Sequence, residues 1–281
     1  MPEPTTRKHY YDAKAQVLAG HLQLPLQQEI KPQAFVSLPE EGGYLSQRAC
    51  DYRLEGIISF RSAYTQVAGN LETKPGHGWS TLTTSVVEDL NVLDVVTADR
   101  VVAQISTEHP LVGYVPSVTF LGTRFENLKI AGHPVRLDLD ANILGQNPPK
   151  DASYSSDPGF AQRVAGQYKR IQDQQNLPPD ILERYNRLPS SSENLESLEC
   201  SLVNHAEGSF PGKSFGHVID VPRFGRIYLA TLRLEQFDFI PGTNIPKSTL
   251  ITLNMIELKM GCLAGGTVTI GTDITNGTTK P

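Results

Sequence analysis

The chain has 281 residues, 39% of them hydrophobic and 20% charged, with a formal net charge of −5. That is enough ordinary globular sequence to bury a core. The mild acidity, with no basic run denser than Arg7-Lys8, argues against a nucleic-acid partner, and no stretch approaches the ~18 apolar residues of a membrane-spanning helix.

The N-terminus, MPEPTTRKHYYDAK, is polar and lacks the apolar centre of a secretory signal. The sequence as written therefore reads as cytoplasmic; a chain from which a signal had been removed would read the same way. From there the dominant period is two, the spacing of a strand with one buried face. AQVLAGHLQLPLQ alternates around Val17 and Leu22. YRLEGIISFRSAYTQVAGN has the β-branched and aromatic content of one long strand. KPGHGWSTLTTSVVEDLNVLDVV follows, with a turn at Gly76-His77-Gly78-Trp79 launching a strand over 80–87. The Val- and Thr-rich continuation to His109 is broken by Asn91 and Asp94. PSVTFLGTRFENLKIAGHPVRLDLDANIL reads as two strands with a turn at Ala131-Gly132-His133-Pro134.

The middle of the chain changes character. QNPPKDASYSSDPGF is a linker, and Asp157-Pro158 has the form of a helix cap followed by proline at the first helical position. Phe160, Val164, Tyr168 and Ile171 then recur at helical spacing. NLPPDILERYNRLP predicts a second, short helix with Ile181, Leu182 and Tyr185 on one face and Pro189 as its stop. The charges of this hairpin, Lys169, Arg170, Arg184 and Arg187 against Asp173, Asp180 and Glu183, read as a solvated, partner-facing or lid-like element. Strand patterning returns from SLECSLVNHAEG to the C-terminus. The expected fold is all-β, an antiparallel sandwich or barrel, with an inserted two-helix hairpin. Residues 1–150 and 196–281 supply the β-rich parts of one domain, and 151–195 the helical insertion with its linkers.

The residues that would carry chemistry are few. His77, between two glycines, is a candidate acid or base, with Asp99 and His109 as partners if the chain is an enzyme. Trp79 and Tyr64 are candidate ligand-binding aromatics. Asp138, Asp140 and Asn142 open like a calcium loop. However, Ile143 stands at the sixth position and Pro149 at the twelfth, so only a looser oxygen site remains. Glu88, Asp94 and Glu108 also interrupt apolar strands. There is no Gly-x-Ser-x-Gly, no Cys-x-x-Cys and no His-Glu-x-x-His, and no cofactor is expected. Cys50, Cys200 and Cys262 are too few for a disulfide framework; free, mostly buried thiols are expected, with one bridge left open.

Val95–Val135, with its TAD strand and Phe-x-Asn-Leu-x-Ile-x-Gly-x-Pro-Val, resembles the β core of bacterial choice-of-anchor surface domains of the P type. The final LNMIELKMGCLAGGTVTIGTDITNG is similar to the glycine-rich ends of such domains. The resemblance implies an all-β sandwich and carries over no catalytic residue. Three functional expectations follow. The first is a non-enzymatic β-domain for binding or self-assembly, forming homo-oligomers. The second is an enzyme with an acid/base pocket around His77 at a barrel mouth. The third is a carbohydrate or small-ligand binder using aromatics such as Tyr10, Tyr11, Tyr44, Tyr64 and Trp79.

Overall fold

The structure, a computed structural model, describes residues 8–25, 27–71, 77–145, 152–186, 197–261 and 264–280. Nineteen strands and two α-helices lie among them. In the first half of the chain run β1 (Lys8–Leu22), β2 (Gln28–Gln33), β3 (Val36–Ser37), β4 (Gly43–Leu54), β5 (Ile58–Leu71), β6 (Trp79–Val92) and β7 (Val96–His109). Five short strands follow: β8 (Ser117–Thr119), β9 (Arg124–Glu126), β10 (Lys129–Ile130), β11 (His133–Pro134) and β12 (Arg136–Leu139). Helices α1 (Pro158–Gln172) and α2 (Pro179–Arg184) precede β13 (Ser197–Ser201), β14 (Val203–Glu207), β15 (Lys213–Phe215) and β16 (Val218–Val221). Three long strands finish the fold: β17 (Gly225–Phe239), β18 (Pro246–Gly261) and β19 (Gly265–Lys280).

The strands form an antiparallel sandwich. The first sheet has the order β15-β16-β17-β18-β19-β1-β2, with β13 also on β17 and β3 on β1. The second runs β11-β10-β7-β6-β5-β4, with β8 and β9 on β7. Strands β1, β18 and β19 of the first sheet lie over β5, β6 and β7 of the second. Both β-rich parts of the chain thus enter the first sheet, with β1 from the N-terminal part paired to β19 along its whole length.

Two tight hairpins organise the second sheet. The stretch 52–70, which alternation reads as one strand, is cut at Glu55-Gly56, where φ is +45° and +72°. Gly56 takes that left-handed backbone without a Cβ penalty. Leu93 and Asp94 make the same reversal between β6 and β7, and Asn91 braces it by accepting from the Asp94 amide at 2.8 Å. The turn near His133 is Ala131-Gly132 alone, and His133-Pro134 already belong to β11.

A kink crosses the first sheet. Ala230 on β17 and Gly271 on β19 have φ of +45° and +65°, and they flank Met255 on β18. Pairing stays in register through all three positions, so the strands turn together and the buried face changes parity: on β1 the odd positions Tyr11 to Val17 are buried, then Leu18 and Leu22. The core divides accordingly. A large cluster holds most apolar side chains, and a small one joins Tyr11, Ala13, Ala15, Val36, Leu38 and Val67, with Trp79 at its rim.

The helical hairpin forms as its sequence signals predict. Asp157 caps α1 by accepting from the Gly159 amide at 2.8 Å, and Phe160, Val164, Tyr168 and Ile171 are buried. These side chains cover the first sheet. Tyr168 donates to the Glu199 carbonyl at 2.8 Å, and Gln167 exchanges two hydrogen bonds with the Ser201 backbone. On α2, Ile181 and Tyr185 are buried, but Leu182 is 47% exposed. One turn of helix presents too narrow a buried stripe to include it. Pro189 and Arg187 lie outside the described residues. No helix among those residues is long and apolar enough to cross a membrane.

Candidate functional site

Pairing of Trp79 with His109 brings the Gly-His-Gly-Trp loop against the end of β7. Gly78 is required there by close approach: a Cβ would lie 1.7 Å from the His109 carbonyl oxygen. His109 is buried, with its ring 4.6 Å from that of His9, while Trp79 stacks on His9 at 5.2 Å. Burial lowers the His9 pKa to about 4, so this ring is neutral at physiological pH. His77 turns the other way: it is exposed and meets Glu108 at 3.2 Å on the surface.

The remaining sequence candidates are scattered. Ten residues of β7 separate Asp99 from His109, about 34 Å at the rise of an extended strand. Asp99 is exposed and accepts from Asn127 at 2.7 Å. Tyr64 sits on the outer face of the second sheet, where Arg100 donates to its hydroxyl at 3.1 Å. The set His77, Asp99 and His109 therefore makes no single pocket, and Tyr64 is remote from Trp79. Asp140 accepts from the Asn142 amide at 2.9 Å and so closes a turn, while Asp138 pairs in register with His205. Among the described residues, no group of three or more His, Cys, Asp or Glu side chains is placed to hold a metal ion. Cys50 is exposed on β4, and Cys200 is buried, its thiol pKa pushed up by burial and then by the nearby Glu199 charge. Both are free thiols, and Cys262 lies outside the described residues.

A fully buried carboxylate occurs where alternation gave no warning. Asp273 on β19 points between the sheets with no accessible surface. Ser85 and Thr83 face it from β6, yet burial dominates and raises its pKa well above the ordinary value. Neither of its oxygens has a partner at full hydrogen-bond geometry among the described residues. Thr81 pairs with Thr107 across β6 and β7, and Thr249 and Thr275 lie on β18 and β19; each has a buried hydroxyl with no partner among the described residues.

The densest charged site joins the helical hairpin to the outer face of the first sheet. Arg184, read from sequence as solvated, has only 15% of its side chain exposed. It donates to Glu199 at 2.6 Å and, through both terminal nitrogens, to Glu257 at 2.8 Å. Its guanidinium also lies 4.1 Å from the centre of the Tyr228 ring. Burial works against the charge, but the hydrogen bonds to Glu257 and Glu199 outweigh it and hold the guanidinium above its ordinary pKa. The Tyr185 hydroxyl is 3.3 Å from Glu199 and 2.8 Å from His217 Nε2. Burial, reinforced by the Arg184 charge, lowers the His217 pKa to about 3 and keeps that ring neutral. Beside this network opens a pocket of about 160 Å³ lined by Arg184, Glu199, Thr231, Arg233, Glu235, Thr252, Asn254 and Glu257. Sequence reasoning missed it because its walls come from α2, β13, β17 and β18, and no local spacing links them.

The last feature is an edge. Strand β4 closes the second sheet, is paired only with β5 among the described residues, and is exposed on both faces along nearly all its length. Tyr44 is 62% and Leu45 39% exposed. Twelve residues span about 40 Å. Other edges are guarded: β2 is short and carries Glu29, Lys31 and Pro32, while β11 is two residues long and includes Pro134. From Gly43 to Gln47, β4 has neither a charge nor a proline.

No curated protein matches the chain. Residues 9–235 match the family described as Domain of unknown function (DUF8256), which takes in β1 to β16 and most of β17. A match over well more than half of the sequence places the chain in that family.

Proposed function

We propose that this protein is a non-enzymatic β-domain that assembles with copies of itself through the β4 edge. The observation that carries the reading is that edge: long, paired on one side only among the described residues, exposed on both faces and unguarded over Gly43–Gln47. An antiparallel strand laid beside itself about a two-fold axis satisfies the backbone donors and acceptors of both copies at once. Asp51, with φ of +52°, kinks the strand while its pairing with β5 continues in register to Leu54, so the segment offered to a second copy is Gly43–Cys50. The resemblance of Val95–Val135 to surface β-domains fits the same reading, and the scatter of His77, Asp99 and His109 removes the set on which an enzyme reading stood.

Size-exclusion chromatography with light scattering tests it. The wild type is expected to form a dimer that dissociates on dilution, and Leu45→Lys or Ser46→Pro is expected to give a monomer with unchanged circular dichroism. A wild type that stays monomeric at every concentration would overturn the proposal.

A further inference from the structure

We infer that the fork between β9 and β12 is a docking groove for an extended peptide whose side chains alternate between apolar and acidic. It uses none of the residues of the β4 edge and stands or falls separately.

The fork is a hairpin opened along part of its length. At the closed end Lys129 pairs with Pro134 and Ile130 with His133, and the Val135 amide donates to the Leu128 carbonyl at 2.9 Å. Continued in that register, residues 136–139 would lie beside 124–127. Instead β12 pairs with β14, while β9 pairs with β7. Asn127 marks the parting: its φ is +53°, and its side-chain amide donates to Asp99 on β7 at 2.7 Å. The gap between the arms holds about 660 Å³. That falls within the ~300–1,000 Å³ of ligand-binding clefts.

Both walls are strand edges. Among the described residues, β9 has no strand partner but β7, and β12 none but β14. In an antiparallel ladder alternate residues aim their N–H and C=O groups to opposite sides, so each wall presents backbone donors and acceptors to the gap. An added peptide strand satisfies such an edge. Side chains sort by face along the walls. Phe125, Leu137 and Leu139 are half-buried against the core, and Arg124 and Arg136, on the alternate face, are exposed. A strand laid between the walls repeats that alternation, with apolar side chains on the inner face and the intervening ones beside the arginines. Charge decides what those should be. Arg124 and Arg136 are the only charged residues lining the gap. Arg124 holds Glu126 at 2.7 Å, whereas Arg136 enters no ion pair among the described residues; Glu207, opposite it on β14, lies 3.4 Å from His205. A peptide carboxylate would give Arg136 the partner it lacks.

The test is titration of isotope-labelled protein with acetyl-Val-Glu-Val-Glu-Val-amide, beside the same peptide with lysine for glutamate and a fully N-methylated analogue. The glutamate peptide is expected to bind with a Kd below about 1 mM and to shift the backbone amide signals of β9 and β12. The lysine peptide, which faces the arginines with like charge, and the N-methylated analogue, which lacks backbone donors, should each bind at least about five-fold more weakly. Arg136→Gln should weaken the glutamate peptide by about three-fold or more and leave the melting temperature unchanged, because Arg136 is exposed. Absence of binding up to ~1 mM, shifts confined to β4, equal affinity for the glutamate and lysine peptides, or unchanged affinity in Arg136→Gln would each overturn the inference.

Discussion

Replacing Arg184 by methionine removes the charge while keeping most of the side-chain volume. The structure sets the cost. Three charge-assisted hydrogen bonds of 2.6, 2.8 and 2.8 Å disappear together. Glu257, whose side chain is only 13% exposed, loses the bidentate partner of both its oxygens, while Glu199 keeps Arg233 at 3.4 Å. Removing one partner of a buried pair costs about 3–5 kcal/mol, because the other charge is left desolvated. Partial water access at this site brings the expectation to about 2–4 kcal/mol. For a chain of this size each kcal/mol moves the melting temperature by about 2 °C, so calorimetry should record a fall of about 4–8 °C. The second variant, Arg184→Met with Glu257→Met, separates the buried-charge argument from simple loss of contacts. Exchanging a whole buried pair for apolar side chains is close to neutral, so the double variant should recover more than half of the loss. A single variant within ~0.5 kcal/mol of wild type, or a double variant as unstable as the sum of its parts, would refute this account.

The buried titrating groups give opposite pH signs. The His217 pKa falls from 6.5 unfolded to about 3 folded, so its contribution is complete above pH 6.5 and is lost as pH drops toward 3, with a slope of up to ~1.4 kcal/mol per pH unit. Urea unfolding of His217→Gln between pH 6.5 and 4 should show a flatter profile than wild type; an unchanged slope would rule out a neutral buried imidazole. The Asp273 pKa is raised, so the folded protein holds a proton that the unfolded chain releases, and stability declines as pH rises above the unfolded carboxylate value of 3.8. Asp273→Asn should therefore be more stable than wild type at pH 7 and equal or less stable at pH 3. At the Gly-His-Gly-Trp loop, Gly78→Ala should cost about 1–3 kcal/mol, because its Cβ meets the His109 carbonyl at 1.7 Å. His77→Ala breaks only an exposed pair and should change stability by less than ~1 kcal/mol. Equal thermal melts for the two variants would show that the close approach is not there.

The kinds of elements and several of their ends are legible in the amino-acid sequence. Period-two alternation marks β1 because it buries one face as far as Val17, whereas β6 and β17 bury both faces over 83–87 and 227–232 and are legible from their Val, Ile, Leu and Thr content. The Asp157-Pro158 cap and the Phe160-Val164-Tyr168-Ile171 stripe fix α1, since capping and helical spacing are local rules. Gly56 was a readable signal for the hairpin that cut the strand at 52–70, hidden by the apolar residues around it. The remaining features depend on residues far apart in the chain. Alternation puts a residue on one face or the other, but the kink through Ala230, Met255 and Gly271 reverses the faces midway. Asp273, within an ordinary-looking Thr-rich strand, thereby becomes a desolvated acid between two sheets. Arg184 has the sequence context of a surface residue; β13 and β18 bring Glu199 and Glu257 to it across fifteen and seventy-three residues, and only that convergence makes it a buried charge.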